Sequence, residues 1–202
     1  WLLFLYDRYG LEQAQRYRLV EEAFDRHESD PDMLMLCYEV CRSMGNRGCQ
    51  WQALSLAIDR AKLNDSVLQG SNVPAYSITP PGTLGYNPPK LFDYEPDKAR
   101  RMLADAGFPN GEGWPGVELI YNTSESHRKI AVALQQMWKD VLNIEVTISN
   151  QEWKVYLDTV NEGDYTLSRM GWIASDLNPA TYLDIFTSES GINRTGFSNP
   201  RY

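Results

Sequence analysis

The stretch that decides the fold is VELIYNTSESHRKIAVALQQMWKDVLNIEVTIS, residues 117–149. Its two ends, VELIY and IEVTIS, are rich in β-branched side chains and partly alternate between apolar and polar positions, which is typical of β-strands. Between them, apolar residues that include Leu134, Trp138 and Val141 recur at helical spacing. A strand, a long helix and a second strand predict a βαβ unit with parallel strands, and therefore an α/β fold.

Further helices and strands are predicted on both sides of this unit. Residues 51–70, WQALSLAIDRAKLNDSVLQG, predict two short helices, the second of which is capped by Asp59. A third helix is predicted to start at Pro96, and EWKVYLDTVNEG predicts another one after the βαβ unit. DYTLSRMGW and NPATYLDIF then predict a strand and a helix. Residues 51–202 are therefore predicted to form an α/β domain.

Residues 1–50 differ in composition and predict a separate α-helical hairpin whose role their residues do not indicate. This part of the chain contains all three cysteines, Cys37, Cys41 and Cys49. Their number and spacing fit neither a disulfide framework nor a zinc motif, so we expect buried core positions. The first ten residues hold too short an apolar run for a signal peptide, and we expect a processed or partial polypeptide.

Composition and motifs exclude several classes of function. The 202 residues carry a formal net charge of −8, which disfavours binding to a nucleic-acid backbone, and no apolar run is long enough to span a bilayer. No G-x-S-x-G sequence, phosphate-binding loop or nucleophile–base pair is present, so we predict a protein that is not an enzyme and needs no cofactor or metal. The strand-to-helix turn within residues 168–186 is then either ordinary punctuation of an α/β fold or the lip of a binding cleft.

Aromatic residues give the best candidates for such a binding site. Trp172 is predicted to end a strand, at the place where α/β folds present their ligands, and Arg169 precedes it by three residues. Trp153 opens a predicted helix and is a second candidate. Tyr156, by contrast, is expected to be a core residue because of its helical spacing, and His127 is expected to be solvated.

Several segments then resemble the oligopeptide-binding proteins of ABC importers, which are extracellular solute-binding proteins of the oligopeptide and dipeptide family. The resemblance rests on ALSLAIDR, YEPDKARRMLADAGFPNG, the block from YNTSESHRK to QEWKVYLDT, and GWIASDLNP, in that order from about Ala53 to Tyr202. It implies one incomplete lobe of a periplasmic-binding-protein-like clamshell, corresponding to the C-terminal lobe. It also implies an oligopeptide ligand, an ABC permease as partner, and a periplasmic or cell-surface location.

The resemblance also implies which residues contact a peptide. They are Trp153, Arg169, Gly171, Trp172, Ser175 and Asp176. The family's Gly-Trp-x-x-Asp pattern would place at position 175 the acid that meets the peptide's amino terminus, but this chain has Ser175 followed by Asp176. Adjacent residues of an extended chain point to opposite sides, so two interpretations stay open. Asp176 either replaces the missing acid or is a turn residue ahead of the helix at Pro179.

Two further expectations follow from a resemblance that covers only one lobe. A single lobe offers half a cleft, so the chain alone is expected to bind peptides weakly or not at all. The alternative is an interaction module in which the lobe is a structural remnant, the N-terminal helices dock a partner, and the exposed half-cleft favours self-association. The change at Ser175 also leaves open a different ligand, such as a dipeptide, a sugar or a metal chelate.

Overall fold

The structure of the protein is a computed structural model that describes residues 3–5, 47–76, 78–80, 82–83, 85 and 93–195. The helical hairpin predicted for the first fifty residues, including Cys37 and Cys41, lies almost entirely outside this described part. Burial and side-chain contacts are described from Cys49 onward.

Four strands and six helices make up the described part of the chain. The strands are β1 (Leu3–Leu5), β2 (Val117–Asn122), β3 (Val146–Gln151) and β4 (Leu167–Arg169). The helices are α1 (Arg47–Leu56), α2 (Arg60–Val67), α3 (Pro96–Asp105), α4 (Glu125–Leu142), α5 (Trp153–Glu162) and α6 (Ala180–Leu183). Short 3-10 turns at Pro109–Gly111 and Asp184–Phe186 complete them.

The strands form one sheet in the order β1-β4-β2-β3. Strands β2 and β3 are parallel and joined by α4, which confirms the predicted βαβ unit. Strand β4 lies parallel to β2 on its other side, and β1 pairs with β4 in the antiparallel direction. The described fold is thus α/β, as predicted.

Strand β4 is shorter than the sequence pattern predicts. DYTLSRMGW alternates for most of its length, but β2 pairs only with Leu167 and Ser168, and the strand ends at Arg169. Trp172 therefore follows the strand across an irregular segment and does not end it. Alternation identifies residues that suit a strand, whereas the neighbouring strand decides how many of them are paired.

Helix ends follow from the residues that the sequence provides. The Asp59 carboxylate accepts a hydrogen bond of 2.9 Å from the Lys62 backbone N–H and caps α2, as predicted. Asn143 ends α4 in the left-handed conformation, with φ of 55°. Gly111 packs so closely against this residue that a Cβ there would lie 2.4 Å from the Asn143 carbonyl oxygen.

The main core lies between the helices and one face of the sheet. Trp138 of α4 is fully buried, and its Nε1–H donates a hydrogen bond of 2.8 Å to the Leu54 carbonyl oxygen of α1. Cys49 is buried in the same core, as expected for that cysteine. Helix α1 therefore crosses the domain boundary predicted near residue 50, and its buried face belongs to the α/β part of the chain.

Candidate functional site

The candidate site lies at the edge of the sheet where the three parallel strands end. Strand β2 ends at Asn122, β3 at Gln151 and β4 at Arg169, and the carboxyl ends of parallel strands face the same side of a sheet. Helix α4 starts just after β2, and α5 starts with Trp153 just after β3. The topology therefore brings the predicted residues 153 and 169–176 to one edge.

Arg169 is the buried charge of this edge. Only 6% of the residue is exposed, and loss of solvation on burial lowers the pKa of its guanidinium from 12.5 to about 10, with an opposing effect from Tyr156. The group therefore remains a cation at neutral pH. A buried cation of this kind favours an anionic group nearby, and a guanidinium suits a carboxylate because it can donate two parallel hydrogen bonds.

Tyr156 holds the end of strand β4 through its hydroxyl group. As expected for a core residue it is buried, and its hydroxyl donates a hydrogen bond of 2.9 Å to the Arg169 carbonyl oxygen. The same hydroxyl lies 2.9 Å from the hydroxyl oxygen of Ser168, which is also buried. Burial raises the pKa of the Tyr156 hydroxyl, against the opposing effect of its hydrogen bond with Ser168, so the phenol remains a donor at neutral pH.

Trp153 forms an exposed aromatic surface above this supporting residue. Its indole stacks on the Tyr156 ring with a centroid separation of 6.0 Å and an interplanar angle of 21°, while 55% of the residue remains exposed. The stacking links the first residue of α5, through Tyr156, to the end of β4. Trp153 and Arg169, which are distant in sequence, are thus joined by one intervening side chain.

His127 differs from its expected solvated state. It is half-buried, and its Nδ1 lies 2.9 Å from the Asn122 side-chain oxygen. Burial lowers the pKa of the imidazole, and the positive charge of Arg169 lowers it further. The sequence did not predict this environment of His127, because Asn122 and Arg169 come from two strands that only the folded sheet brings next to the first turn of α4.

The chain after Arg169 is exposed and apolar. Trp172 is 42% exposed and Ile173 is 94% exposed, and Leu177 also faces solvent. Gly171, which precedes Trp172, and Ser175 are also exposed. The indole of Trp172 is nonetheless held in place, since its Nε1–H donates a hydrogen bond of 2.9 Å to the Thr181 carbonyl oxygen. We refer to residues 171–178 as the exposed segment.

Asp176 is engaged within its own turn. Its Oδ1 accepts a hydrogen bond of 2.8 Å from the Asn178 backbone N–H and one of 2.7 Å from the Thr181 hydroxyl. These bonds, first the one from Asn178, lower the pKa of the exposed carboxyl. This geometry matches the second of the two interpretations from sequence, a turn residue ahead of the following helix.

The described residues were also searched for a metal site, a membrane-spanning helix and a ligand cavity. Among them, no group of three or more His, Cys, Asp or Glu side chains could hold a metal ion, and no helix is long and apolar enough to cross a membrane. An open cavity of about 270 Å³ lies between the end of α2 and the start of α4. None of the predicted site residues lines it, so the candidate site is a surface at the strand ends and not this cavity.

The chain is similar to several proteins that are named for peptide binding. The sequence is 38% identical to the periplasmic murein peptide-binding protein MppA of Escherichia coli strain K12, over 74% of this chain and 29% of MppA. It is 32% identical to the oligopeptide-binding protein OppA of the same organism, over 92% of this chain and 35% of OppA. The crystal structure of the oligopeptide-binding protein OppAIV of Borrelia burgdorferi matches with a TM-score of 0.69 and 38% identity, over 76% of this chain and 31% of that one.

These similarities define the class as the bacterial extracellular solute-binding proteins. Residues 52–194 match the middle part of the bacterial extracellular solute-binding proteins, family 5, and the chain belongs to that family. It spans about a third of the length of the curated relatives it matches. The alignment with OppA of E. coli covers so much of the chain that it includes part of residues 1–50, for which the sequence alone indicated no resemblance.

Proposed function

We propose that this chain is part of the ligand-binding lobe of an oligopeptide-binding protein that supplies an ABC importer. It binds peptides reversibly, catalyses no reaction, and works in the periplasm or at the cell surface with the importer's permease as partner. One observation carries the proposal: β4 ends with the buried Arg169, and the exposed segment follows it almost directly in the chain. Its relatives, named for peptide binding and periplasmic location, support the same function.

Each part of the site suits one part of a peptide. The guanidinium of Arg169 suits a carboxylate of the ligand. The exposed faces of Trp153 and Trp172 suit apolar side chains, to which aromatic rings offer large contact areas. The irregular backbone of the exposed segment can contact an extended peptide through main-chain groups, which accept many sequences because they do not read side chains.

The lobe alone provides one wall of a binding cleft. A peptide on one wall stays largely hydrated, so the gain in binding free energy is small relative to the cost of immobilising the peptide. We therefore expect the isolated chain to bind peptides weakly. A submicromolar dissociation constant for a peptide and the isolated chain would contradict the expectation that the chain provides only half of a cleft.

A comparison of two ligands tests the role of Arg169. Trialanine carries a terminal carboxylate, whereas trialanine amide lacks it and is otherwise the same size. The chain should bind trialanine more tightly than its amide, and Arg169→Met should remove the preference. Because loss of one member of a buried charged interaction can destabilise a protein, an unchanged circular dichroism spectrum is required of the variant. Arg101→Met, on the exposed side of α3, is the matched control and should preserve the preference.

The titrations are read by two-dimensional NMR, which detects weak binding. Equal binding of the two ligands by the unmodified chain would overturn the assignment of Arg169 as a carboxylate contact. Absence of binding for both ligands at millimolar concentration would contradict the proposed function.

A further inference from the structure

Two hydrogen bonds connect Asp176 to the indole of Trp172 through Thr181, and a third holds Asp176 in its own turn. The Asp176 carboxylate holds the Asn178 backbone N–H and the Thr181 hydroxyl, and the backbone carbonyl of Thr181 accepts the hydrogen bond from Trp172 Nε1–H. Thr181 thus contacts Asp176 through its side chain and Trp172 through its backbone. The network spans residues 172–181 and ties the exposed segment to the first turn of α6.

The network gives Trp172 a defined orientation although much of its surface faces solvent. An exposed indole that makes no other specific contact would sample several rotamers, and a ligand that contacts it would have to order it first. The bond to Thr181 removes part of that cost before the ligand arrives. This bond is only as well placed as Thr181 itself, whose side chain is held by Asp176.

We propose that Asp176 is a positioning residue that orders Trp172 for ligand contact, and that ligand recognition at this segment does not require a free amino terminus on the peptide. The positioning role rests on the hydrogen bonds alone. Its consequence for ligand choice rests on the proposed peptide-binding function. Ser175 is neutral, and both Ser175 and Asp176 are exposed. The exposed segment therefore offers no buried carboxylate to which the ammonium group of a peptide could bind.

Exposure of Asp176 limits what its charge could add to amine binding. An ion pair between an exposed carboxylate and an ammonium in water changes affinity by at most about fivefold. The same oxygen already accepts two hydrogen bonds from its own turn. A contribution through the orientation of Trp172 acts equally on peptides with and without a charged amino terminus, and this equality distinguishes the two roles.

The first experiment needs no ligand. Hydrogen exchange of the Trp172 indole N–H is followed by NMR in the 202-residue chain, with Trp172→Phe used to assign the signal. Asp176→Ala and Thr181→Val should each speed the exchange by about three- to tenfold, the factor expected for loss of a hydrogen bond. Asp176→Asn should leave the exchange unchanged, since its amide oxygen still accepts both hydrogen bonds. Unchanged exchange in both Asp176→Ala and Thr181→Val would overturn the positioning role.

The second experiment compares trialanine with N-acetyl-trialanine, which lacks the ammonium group. Asp176→Ala should weaken both peptides by the same factor, about three- to tenfold, and Asp176→Asn should weaken neither. Weaker binding of trialanine alone in Asp176→Asn would show that the charge of Asp176 recognises the amine, and would overturn the proposal. If the unmodified chain binds neither peptide, the proposed function fails, and the indole exchange still decides the positioning role.

Discussion

Replacing Tyr156 by phenylalanine removes a single hydroxyl group and tests how the end of strand β4 is held. That hydroxyl donates to the Arg169 carbonyl oxygen and pairs with the Ser168 hydroxyl, each across 2.9 Å. Both Tyr156 and Ser168 are almost completely buried, so water does not readily replace the lost partner. The ring remains in Tyr156→Phe, and with it the stacking on Trp153.

The expected loss of stability follows from these two contacts. A typical hydrogen bond contributes about 1 kcal/mol net, and a buried group that loses its partner costs about 1–3 kcal/mol. We therefore expect Tyr156→Phe to lower the free energy of unfolding by about 2–3 kcal/mol. For a chain of this size such a loss lowers the melting temperature by about 4–12 °C.

Urea unfolding followed by circular dichroism measures this loss, with an unchanged m-value as evidence that only stability has changed. Tyr94→Phe, at an exposed tyrosine, is the matched control and should change stability by less than about 0.5 kcal/mol. The double variant with Ser168→Ala should show a coupling free energy of about 1 kcal/mol. A loss for Tyr156→Phe no larger than that of Tyr94→Phe would refute the idea that this hydroxyl holds the strand end.

Two further predictions concern the turn before β2 and the histidine at the strand ends. Gly111→Ala should lower the free energy of unfolding by about 2–5 kcal/mol, because the residue has a positive φ and its new Cβ would meet the Asn143 carbonyl oxygen. Gly113 also has a positive φ but has open space around it, so Gly113→Ala should lower the free energy of unfolding by only about 1–2 kcal/mol. Equal losses for the two variants in urea unfolding would contradict the close contact at Gly111. The lowered pKa of His127 means that the folded state takes up a proton less readily than the unfolded state, so stability is retained above about pH 6.5 and falls as the pH drops through the lowered value. His127→Gln should remove this part of the pH dependence between about pH 7.5 and about pH 5.5, and an unchanged dependence would refute the lowered pKa of His127 in the folded state.

The elements of the α/β part follow largely from local sequence. The spacing of Leu134, Trp138 and Val141 predicts a buried helical face, and the structure confirms it. Asp59 and Pro96 predict helix starts that the structure also confirms, because capping and the restricted φ of proline are local effects. Local chemistry of this kind needs no knowledge of the rest of the chain.

What the sequence does not predict depends on contacts between distant residues. The length of β4 depends on how many of its residues β2 can pair with, and the half-burial of His127 depends on Asn122 and Arg169. The sequence leaves two interpretations for Asp176, because a carboxylate five residues from a threonine can face either the turn or a ligand. In the structure the Asp176 carboxylate accepts a hydrogen bond from Thr181 within its own turn, and its contact with a ligand stays a prediction.

The candidate site shows the same division between local and distant effects. Trp153, Arg169 and Trp172 are identified as candidates by their residue types, their positions at predicted element ends and the family resemblance. Their arrangement is visible only in the fold, where the stacked Tyr156 joins Trp153 to the strand end and Thr181 orients Trp172. Their contact with a peptide remains a prediction.

The most direct test of this prediction is an NMR titration of the chain with a mixture of tri- to pentapeptides, observed at the backbone and indole N–H signals. If the strand-end surface is the ligand site, the signals that shift with peptide concentration will be those of Trp153, Trp172 and the exposed segment 171–178. Shifts confined to the cavity between α2 and α4, or no shifts at millimolar peptide, would contradict the assignment of the ligand site to this surface.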